Sequence, residues 1–218
     1  SVLSAMLDAH LIEDPYYRMN EYPTRELLKK DYCLTHSFFV ERQENLYYEL
    51  VCDGIDTVAD IYLNGEKIER VDNMHLQYRI PCGTWLKDGE NRITVTIHSP
   101  ITYVDSYEAK PEKQIDFVST GVMKGSQYIR KAHSMFGWDW GPQLPDMGIW
   151  QNISIVGYEK ALLDQVRIHQ EHTQKGVTLR VESQIRMVSS DMPEKEAKLL
   201  SEQELPEGWQ VCYALEEE

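Results

Sequence analysis

The alternation of apolar and polar residues predicts a chain built mostly from short β-strands. Over residues 92–98, apolar side chains occupy every second position, which is the period of a strand with one buried face. Asn64-Gly65 is typical of a type I′ turn, so the segments on either side are expected to pair as a hairpin. Many short strands joined by Gly and Asn turns indicate an antiparallel sandwich or jelly roll. Strands are predicted over residues 32–41, 46–52, 57–63, 66–71, 75–80, 92–98, 149–158, 163–169 and 176–186.

Three stretches depart from this pattern. Residues 1–12 carry apolar residues at helical spacing, which predicts a short helix that ends before Asp14-Pro15. Residues 100–148 have weak periodicity, and a long irregular segment inside a compact domain is often functional. Residues 191–218 hold nine acidic and two basic residues, so they form either a disordered tail or part of a second sandwich. The strand-like run 208–214 favours the second sandwich.

Net charge narrows the function classes. The formal charge of −14 argues against nucleic acid and against an anionic membrane surface as partners, because both attract basic proteins. No apolar run approaches the ~20 residues of a membrane span. A neutral sugar or another protein remains compatible with this charge.

The cysteines and histidines do not form a metal-binding pattern. No Cys-x-x-C pair and no zinc-like spacing occurs, so the thiols are expected to be reduced and mostly buried. His169 and His172 are three apart on a predicted strand and would not share a face. Reduced thiols and the lack of a visible signal peptide lean slightly towards a cytoplasmic location. The four cysteines are Cys33, Cys52, Cys82 and Cys212.

The segment Phe136-Gly137-Trp138-Asp139-Trp140-Gly141-Pro142 carries the candidate binding chemistry. Gly and Gly-Pro bracket it, which predicts a loop. Sugars present C–H faces that stack on indoles and hydroxyls that donate hydrogen bonds to a carboxylate. Two indoles flanking one carboxylate therefore make carbohydrate the first ligand to consider.

Other polar residues have structural explanations. Asp56 and Asp60 lie around a predicted strand, one expected to cap a turn and the other to face solvent, with little support for metal binding. Arg130 and Lys131 are expected to pair with acidic residues beneath the loop as structural anchors. His133 is given no functional role.

Four stretches together resemble the N-terminal part of glycoside hydrolase family 2, and within it the β-mannosidases. Two are typical of the whole family and two of the mannosidase branch, and the match covers nearly residues 1–158 in the right order and spacing. The stretches are Leu11–Tyr17 with Asn20-Glu21, Gly54–Gly65, Gly89–Asn91, and Ile129–Lys131 with Phe136–Pro142 and Pro145–Trp150.

This resemblance implies an all-β fold in two parts. Residues 1–158 would be a galactose-binding-like jelly-roll β-sandwich with a trimmed N-terminus, and residues 159–218 part of an immunoglobulin-like sandwich. The (β/α)₈ barrel with the two catalytic glutamates would lie outside the chain. No catalytic residue, metal or cofactor is therefore expected within it.

The resemblance also implies a function. The chain would be the N-terminal fragment of a retaining exo-glycosidase that hydrolyses terminal non-reducing β-D-mannose, and would be inactive alone. Asp139 would accept hydrogen bonds from sugar hydroxyls, Trp138 would line the pocket, and Trp140 would pack beneath the loop. The partners would be the terminal β-mannoside and the barrel of the same polypeptide. The alternatives are a family 2 glycosidase for β-glucosaminides, β-galactosides or β-glucuronides, and a stand-alone carbohydrate-binding module.

Overall fold

The computed structural model of the protein describes residues 1–108, 121–190, 198–201 and 205–212. The chain divides into two compact units. The first unit holds residues 1–42 and 49–155, and the second holds residues 43–48 and 156–218.

Antiparallel strands are the main regular elements of residues 1–158 and outnumber the helices there, which confirms the predicted all-β class. β1, β7, β4 and β5 lie side by side in that order in a four-stranded sheet, β6, β2 and β9 form a three-stranded sheet, and β3 pairs with β8. The strands are β1 Tyr32–Val40, β2 Tyr47–Cys52, β3 Ile55–Asp56, β4 Ala59–Leu63, β5 Glu66–Val71, β6 Tyr78–Pro81, β7 Gly89–Ile97, β8 Gly148–Ile149 and β9 Ile153–Tyr158.

The four-stranded sheet follows the apolar pattern of the sequence. The alternate apolar residues of β7 are buried, and Val95 lies between Leu34 of β1 and Ile61 of β4. Asn64 and Gly65 both have positive φ, 54° and 93°, as a type I′ turn requires, and β4 pairs with β5 across them. The predicted hairpin is confirmed.

Three α-helices occur among the described residues, and the sequence pattern indicates only the first. α1 (Val2–Asp8) confirms the predicted N-terminal helix, whereas α2 (Glu21–Leu27) and α3 (Pro100–Glu108) were not predicted. In α2, Thr24 is the only buried residue, so no apolar period marks the helix. α3 is rich in β-branched residues and tyrosine, which have modest helix propensity.

The loop that carries the tryptophans stands on a cluster of buried side chains. Phe136 is fully buried against Val58, Val104 of α3 and Ile129. A fully buried phenylalanine contributes on the order of 2 kcal/mol or more of transfer free energy. The irregular segment before the loop is therefore tied to the core of the first unit.

In the second unit, the described residues after residue 160 include a three-stranded antiparallel sheet with the order β10-β11-β12. These are β10 (Ala161–Thr173), β11 (Gly176–Met187) and β12 (Lys198–Ser201). Because β12 lies within the acidic stretch 191–218, that stretch is not wholly a disordered tail. The strand predicted over 208–214 is wrong for residues 208–212, which are irregular, and its last two positions lie outside the described residues.

All four thiols are free, but only two are buried. Burial raises the pKa of Cys52 to about 12, and the neighbouring Asp53 carboxylate adds to the shift. Cys33 is exposed, because its position on β1 faces away from the apolar row that contains Leu34. In the part of the chain that the structure describes, no helix is long and apolar enough to cross a membrane.

Candidate functional site

The segment Trp138–Gly141 forms a tight turn. The Trp138 amide donates to the Gly141 carbonyl at 3.5 Å, and the Gly141 amide donates to the Trp138 carbonyl at 3.4 Å. Asp139 and Trp140 occupy the two central positions, so their side chains project from the tip. Trp138 is 51% exposed and Trp140 is 85% exposed.

The exposure of Trp140 corrects the expectation that it packs beneath the loop. A side chain at a central position of a four-residue turn points away from the segments that enter and leave it. The base of the loop is filled by Phe136 instead. Trp140 is thus an apolar side chain displayed at the tip.

The Asp139 carboxylate is exposed beside the two indoles. Among the residues that the structure describes, none forms a hydrogen bond with this carboxylate. It is therefore an anionic acceptor open to a ligand, next to apolar ring faces. Such a carboxylate can accept charge-assisted hydrogen bonds from hydroxyl groups, which are stronger than bonds between neutral groups.

Two glycines allow other segments to approach the turn closely. Gly121 has φ 81°, and a Cβ there would lie 2.7 Å from the Asp139 nitrogen and from the Trp138 carbonyl group. Gly137 has φ 92°, and a Cβ there would lie 2.4 Å from Cγ of Gln143. The backbone of Gly121 therefore lies directly against the turn, and the side chain of Gln143 lies against Gly137, the residue before it.

Helix α2 holds the segment that leaves the turn. The Gln143 amide donates to Oε1 of Glu21 at 2.9 Å, and Nε of Arg25 donates to the Gln143 carbonyl at 2.9 Å. Glu21 and Arg25 also form an ion pair with each other. The Gln143 side chain in turn donates from Nε2 to the Gly121 carbonyl at 2.9 Å.

The Lys131 ammonium is buried in the interior of the first unit. It pairs with the Asp56 carboxylate and also donates to the Asp146 carbonyl. Burial lowers the pKa of Lys131 below its ordinary value, although the Asp56 carboxylate opposes the shift. The predicted anchoring role of Lys131 is confirmed, but the expectation that Asp56 caps a turn or faces solvent is wrong.

Asp60 belongs to a charged network on the four-stranded sheet. Its carboxylate contacts Lys67 at 2.7 Å, Arg70 at 3.4 Å and Nε2 of His98 at 3.0 Å. Nδ1 of the same imidazole contacts Asp31 at 2.8 Å. Asp60 is buried, so neither Asp56 nor Asp60 faces solvent as the sequence analysis expected of one of them.

The network shifts the pKa values of its members. Burial opposes the charged form of His98, yet the hydrogen bonds that its ring donates to the Asp31 and Asp60 carboxylates raise its pKa above the ordinary value. Burial acts against ionised Asp60, but the bonds from Lys67 and His98 lower its pKa overall. The Ser99 amide and His98 likewise outweigh burial and lower the pKa of Asp31. The network therefore stabilises ionised groups rather than offering a free acid or base.

The other residues considered from the sequence, His133, Arg130 and His169, are all exposed. His133 is exposed in a 3₁₀ turn, and Arg130 is exposed while its carbonyl accepts from the Met74 amide. His169 contacts Glu182 at 3.4 Å, on the exposed face of β10 and β11. Within the described ranges, no group of three or more His, Cys, Asp or Glu side chains could hold a metal ion.

The sequence pattern does not indicate the contacts that α2 makes with the loop. Its one relevant signal is the spacing of Glu21 and Arg25, which are four residues apart, as in an ion pair on one helix face. Their bonds to Gln143 span about half of the chain, and no local pattern encodes such pairing.

Comparison with known proteins places this site in a family. Residues 1–151 match the family model described as "Glycosyl hydrolase 2 galactose-binding domain-like". Beta-mannosidase of Rattus norvegicus is 30% identical over 203 residues, covering 87% of this chain and 22% of the rat protein. Beta-mannosidase of Bos taurus is 31% identical over 206 residues, covering 90% of this chain and 23% of the bovine protein. The chain thus spans less than a quarter of the length of these relatives.

Solved structures give the same fold. The crystal structure of a beta-D-mannosidase from Dictyoglomus thermophilum has a TM-score of 0.74 and 30% identity, covering 84% of this chain and 22% of that one. An exo-chitosanase from Amycolatopsis orientalis has a TM-score of 0.62 at 14% identity, covering 92% of this chain and 24% of that one, and this likeness concerns the fold alone. The galactose-binding-like, all-β fold expected from the sequence is confirmed.

Proposed function

We propose that this chain, which belongs to glycoside hydrolase family 2, is the N-terminal part of a retaining exo-glycosidase that removes terminal non-reducing β-D-mannose. The mannosidase names of the rat, bovine and D. thermophilum relatives support this substrate. The longer polypeptide that contains the chain is called the parent enzyme below. The proposed domains are a jelly roll over 1–158 and part of an immunoglobulin-like sandwich over 159–218.

Catalysis in this proposal takes place on a (β/α)₈ barrel elsewhere in the parent enzyme. A retaining glycosidase uses one carboxylic acid to protonate the leaving oxygen and a second carboxylate, ~5–5.5 Å away, to attack the anomeric carbon. No carboxylate of this chain is assigned either role. The chain contributes binding groups and structural support to the barrel.

The observation that carries the proposal is the display of Asp139 at the tip of a turn with an anchored base. Its carboxylate is open to hydroxyl donors, and the Trp138 indole beside it offers a ring face for sugar C–H groups. A site built to hydrogen-bond a hydroxyl rejects a sugar without it far more strongly than an apolar pocket rejects a missing methylene. Asp139 would therefore help to select the terminal mannose.

The experiment is a comparison of the chain with the parent enzyme on aryl β-glycosides. We expect the parent enzyme to hydrolyse the β-mannoside in preference to the β-glucosaminide, β-galactoside and β-glucuronide, and the isolated chain to hydrolyse none. Preference for another sugar would contradict the mannose specificity. Turnover by the isolated chain that persists after repurification would contradict the assignment of catalysis to a separate barrel.

A stand-alone carbohydrate-binding module is the alternative from another class. Such a module would bind glycans tightly on an array. Neither the isolated chain nor the full gene product would then hydrolyse a glycoside. The proposed enzyme predicts weak glycan binding by the isolated chain, because most of the pocket wall would belong to the barrel.

A further inference from the structure

We propose that Glu21 and Arg25 of α2 are positioning residues for Asp139, and that they act through Gln143. This inference rests on the proposed function, because it assigns to α2 the task of placing the carboxylate that contacts the sugar. The set Glu21, Arg25 and Gln143 is called the α2 clamp below.

Helix α2 holds Gln143 through two hydrogen bonds to charged side chains. One carboxylate oxygen of Glu21 accepts the Gln143 amide, and the Arg25 guanidinium donates to the carbonyl of the same residue. Both backbone polar groups of Gln143 are thus bonded to charged side chains. The side chains of Arg25 and Glu21 are only 19% and 24% exposed, so water screens these bonds less than it screens surface pairs.

Gln143 contacts Gly121, which lies against the turn, and Gly137, which precedes it. Its Nε2 donates to the carbonyl of Gly121, whose backbone lies against Trp138 and Asp139. Its Cβ and Cγ lie where a side chain on Gly137, just before the turn, would have to be. A displacement of Gln143 would therefore move the support beneath the turn and the segment that enters it.

Among the described residues, no hydrogen bond holds the Asp139 carboxylate, so the backbone of the turn sets the position of the group. Catalysis is sensitive to such placement, since a shift of ~1 Å from a distant mutation can cost ~100-fold in rate. The α2 clamp is the charged, partly buried connection that fixes this backbone.

The kinetic test uses the parent enzyme with Arg25→Ala and the milder Glu21→Gln. We expect Arg25→Ala to lower kcat/KM by about tenfold or more, mainly through kcat, and Arg25→Lys to restore part of the loss. In an Asp139→Ala background, Arg25→Ala should change kcat/KM by no more than about twofold, because coupled residues are not additive. Equal effects of Arg25→Ala in both backgrounds would overturn the proposal.

The matched control is a second ion pair at the same helix. Glu26 and Lys29 contact at 2.7 Å with 66% and 45% of their side chains exposed. Among the described residues, neither side chain has a hydrogen bond or ion pair with residues 136–143. Lys29→Ala should leave both kcat/KM and KM unchanged. A loss equal to that of Arg25→Ala would mean a general effect of α2 on stability and would also overturn the proposal.

A spectroscopic test on the 218-residue chain is independent of activity. With 5-fluorotryptophan at the five tryptophans, assigned by single Trp→Phe variants, Arg25→Ala and Glu21→Gln should shift the resonances of Trp138 and Trp140. Lys29→Ala should shift neither. Unchanged resonances in both clamp variants would overturn the proposal even if activity fell. If Asp139→Ala leaves kcat/KM unchanged in the parent enzyme, the proposed function of the turn fails, and the fluorine spectra still decide whether α2 sets its conformation.

Discussion

The Lys131 ammonium pairs with the Asp56 carboxylate in the interior of the first unit, where the two side chains are 0% and 5% exposed. The pair joins β3 to the segment that precedes the tryptophan loop. Lys131 also donates to the carbonyl of Asp146, whose carboxylate accepts the amides of Leu3 at 3.1 Å and Met147 at 2.7 Å. One buried cation thus connects the two ends of the loop region to a strand of the fold.

Lys131→Met should therefore destabilise the protein strongly. Removal of one partner leaves a buried charge without compensation, which costs about 3–5 kcal/mol. The free energy of unfolding from urea denaturation of the 218-residue chain is the measurement.

The double variant Lys131→Met with Asp56→Asn is the control for this explanation. It removes both charges and should recover part of the loss, because no buried carboxylate is left unpaired. A single variant that unfolds at the same urea concentration as the wild type would show that the pair does not support the fold.

His98→Gln should destabilise the protein most at mildly acidic pH. The pKa of His98 is raised above its ordinary 6.5, so its contribution is full below 6.5 and is lost as pH rises through the raised value. The pKa values of Asp31 and Asp60 are lowered below 3.8, so their contributions are full above 3.8 and are lost as pH falls through the lowered values. The window of full stabilisation lies between these two limits.

The measurement is the melting temperature of wild type and variant across pH 4 to about 8. The difference should be largest between pH 4 and 6.5 and should shrink above that range. The exposed His75 offers a control, His75→Gln, which should give a small difference at every pH. A difference for His98→Gln that is constant with pH would contradict the role of the two carboxylates.

Gly121→Ala should cost stability and move the tryptophan turn. A residue with φ 81° is strained once it carries a Cβ, and that Cβ would lie 2.7 Å from the backbone of Trp138 and Asp139. The unfolding free energy should fall by more than the ~1–2 kcal/mol of left-handed strain alone. Tryptophan fluorescence reports whether the turn has moved.

The chain supplies a matched control in Gly65→Ala. Gly65 also has a positive φ, 93°, but a Cβ there meets nothing within 4 Å. This variant should show the strain cost without a change in fluorescence. Equal losses of unfolding free energy at Gly65 and Gly121 would contradict a close contact beneath the turn.

The sheets could be predicted from the sequence because their signals are local. The alternation in β7 and the Asn64-Gly65 turn are readable within a few residues, and both are found in the structure. The helix α2 could not be predicted, because Thr24 is its only buried residue and no apolar period marks it. α3 does bury Ile101 and Val104, but its β-branched residues and tyrosines have modest helix propensity and do not single out a helix.

In the candidate site, too, some features could be predicted from local sequence and others could not. The composition of the segment around Trp138 and Asp139, together with its bracketing glycines, predicts a binding loop. The exposure of Trp140 and the link from Glu21 to Gln143 depend on turn geometry and on contacts between distant segments, which the sequence pattern does not contain.

Asp139→Ala in the parent enzyme tests the central claim most directly. The account predicts that kcat/KM for an aryl β-mannoside falls by an amount equal to about 3 kcal/mol of transition-state stabilisation or more, as removal of a charged hydrogen-bonding partner should cost. The melting temperature should stay near that of the wild type, because the carboxylate is exposed at the tip of its turn. A kcat/KM close to that of the wild type would contradict the account and leave Asp139 as a surface residue without a role in sugar binding.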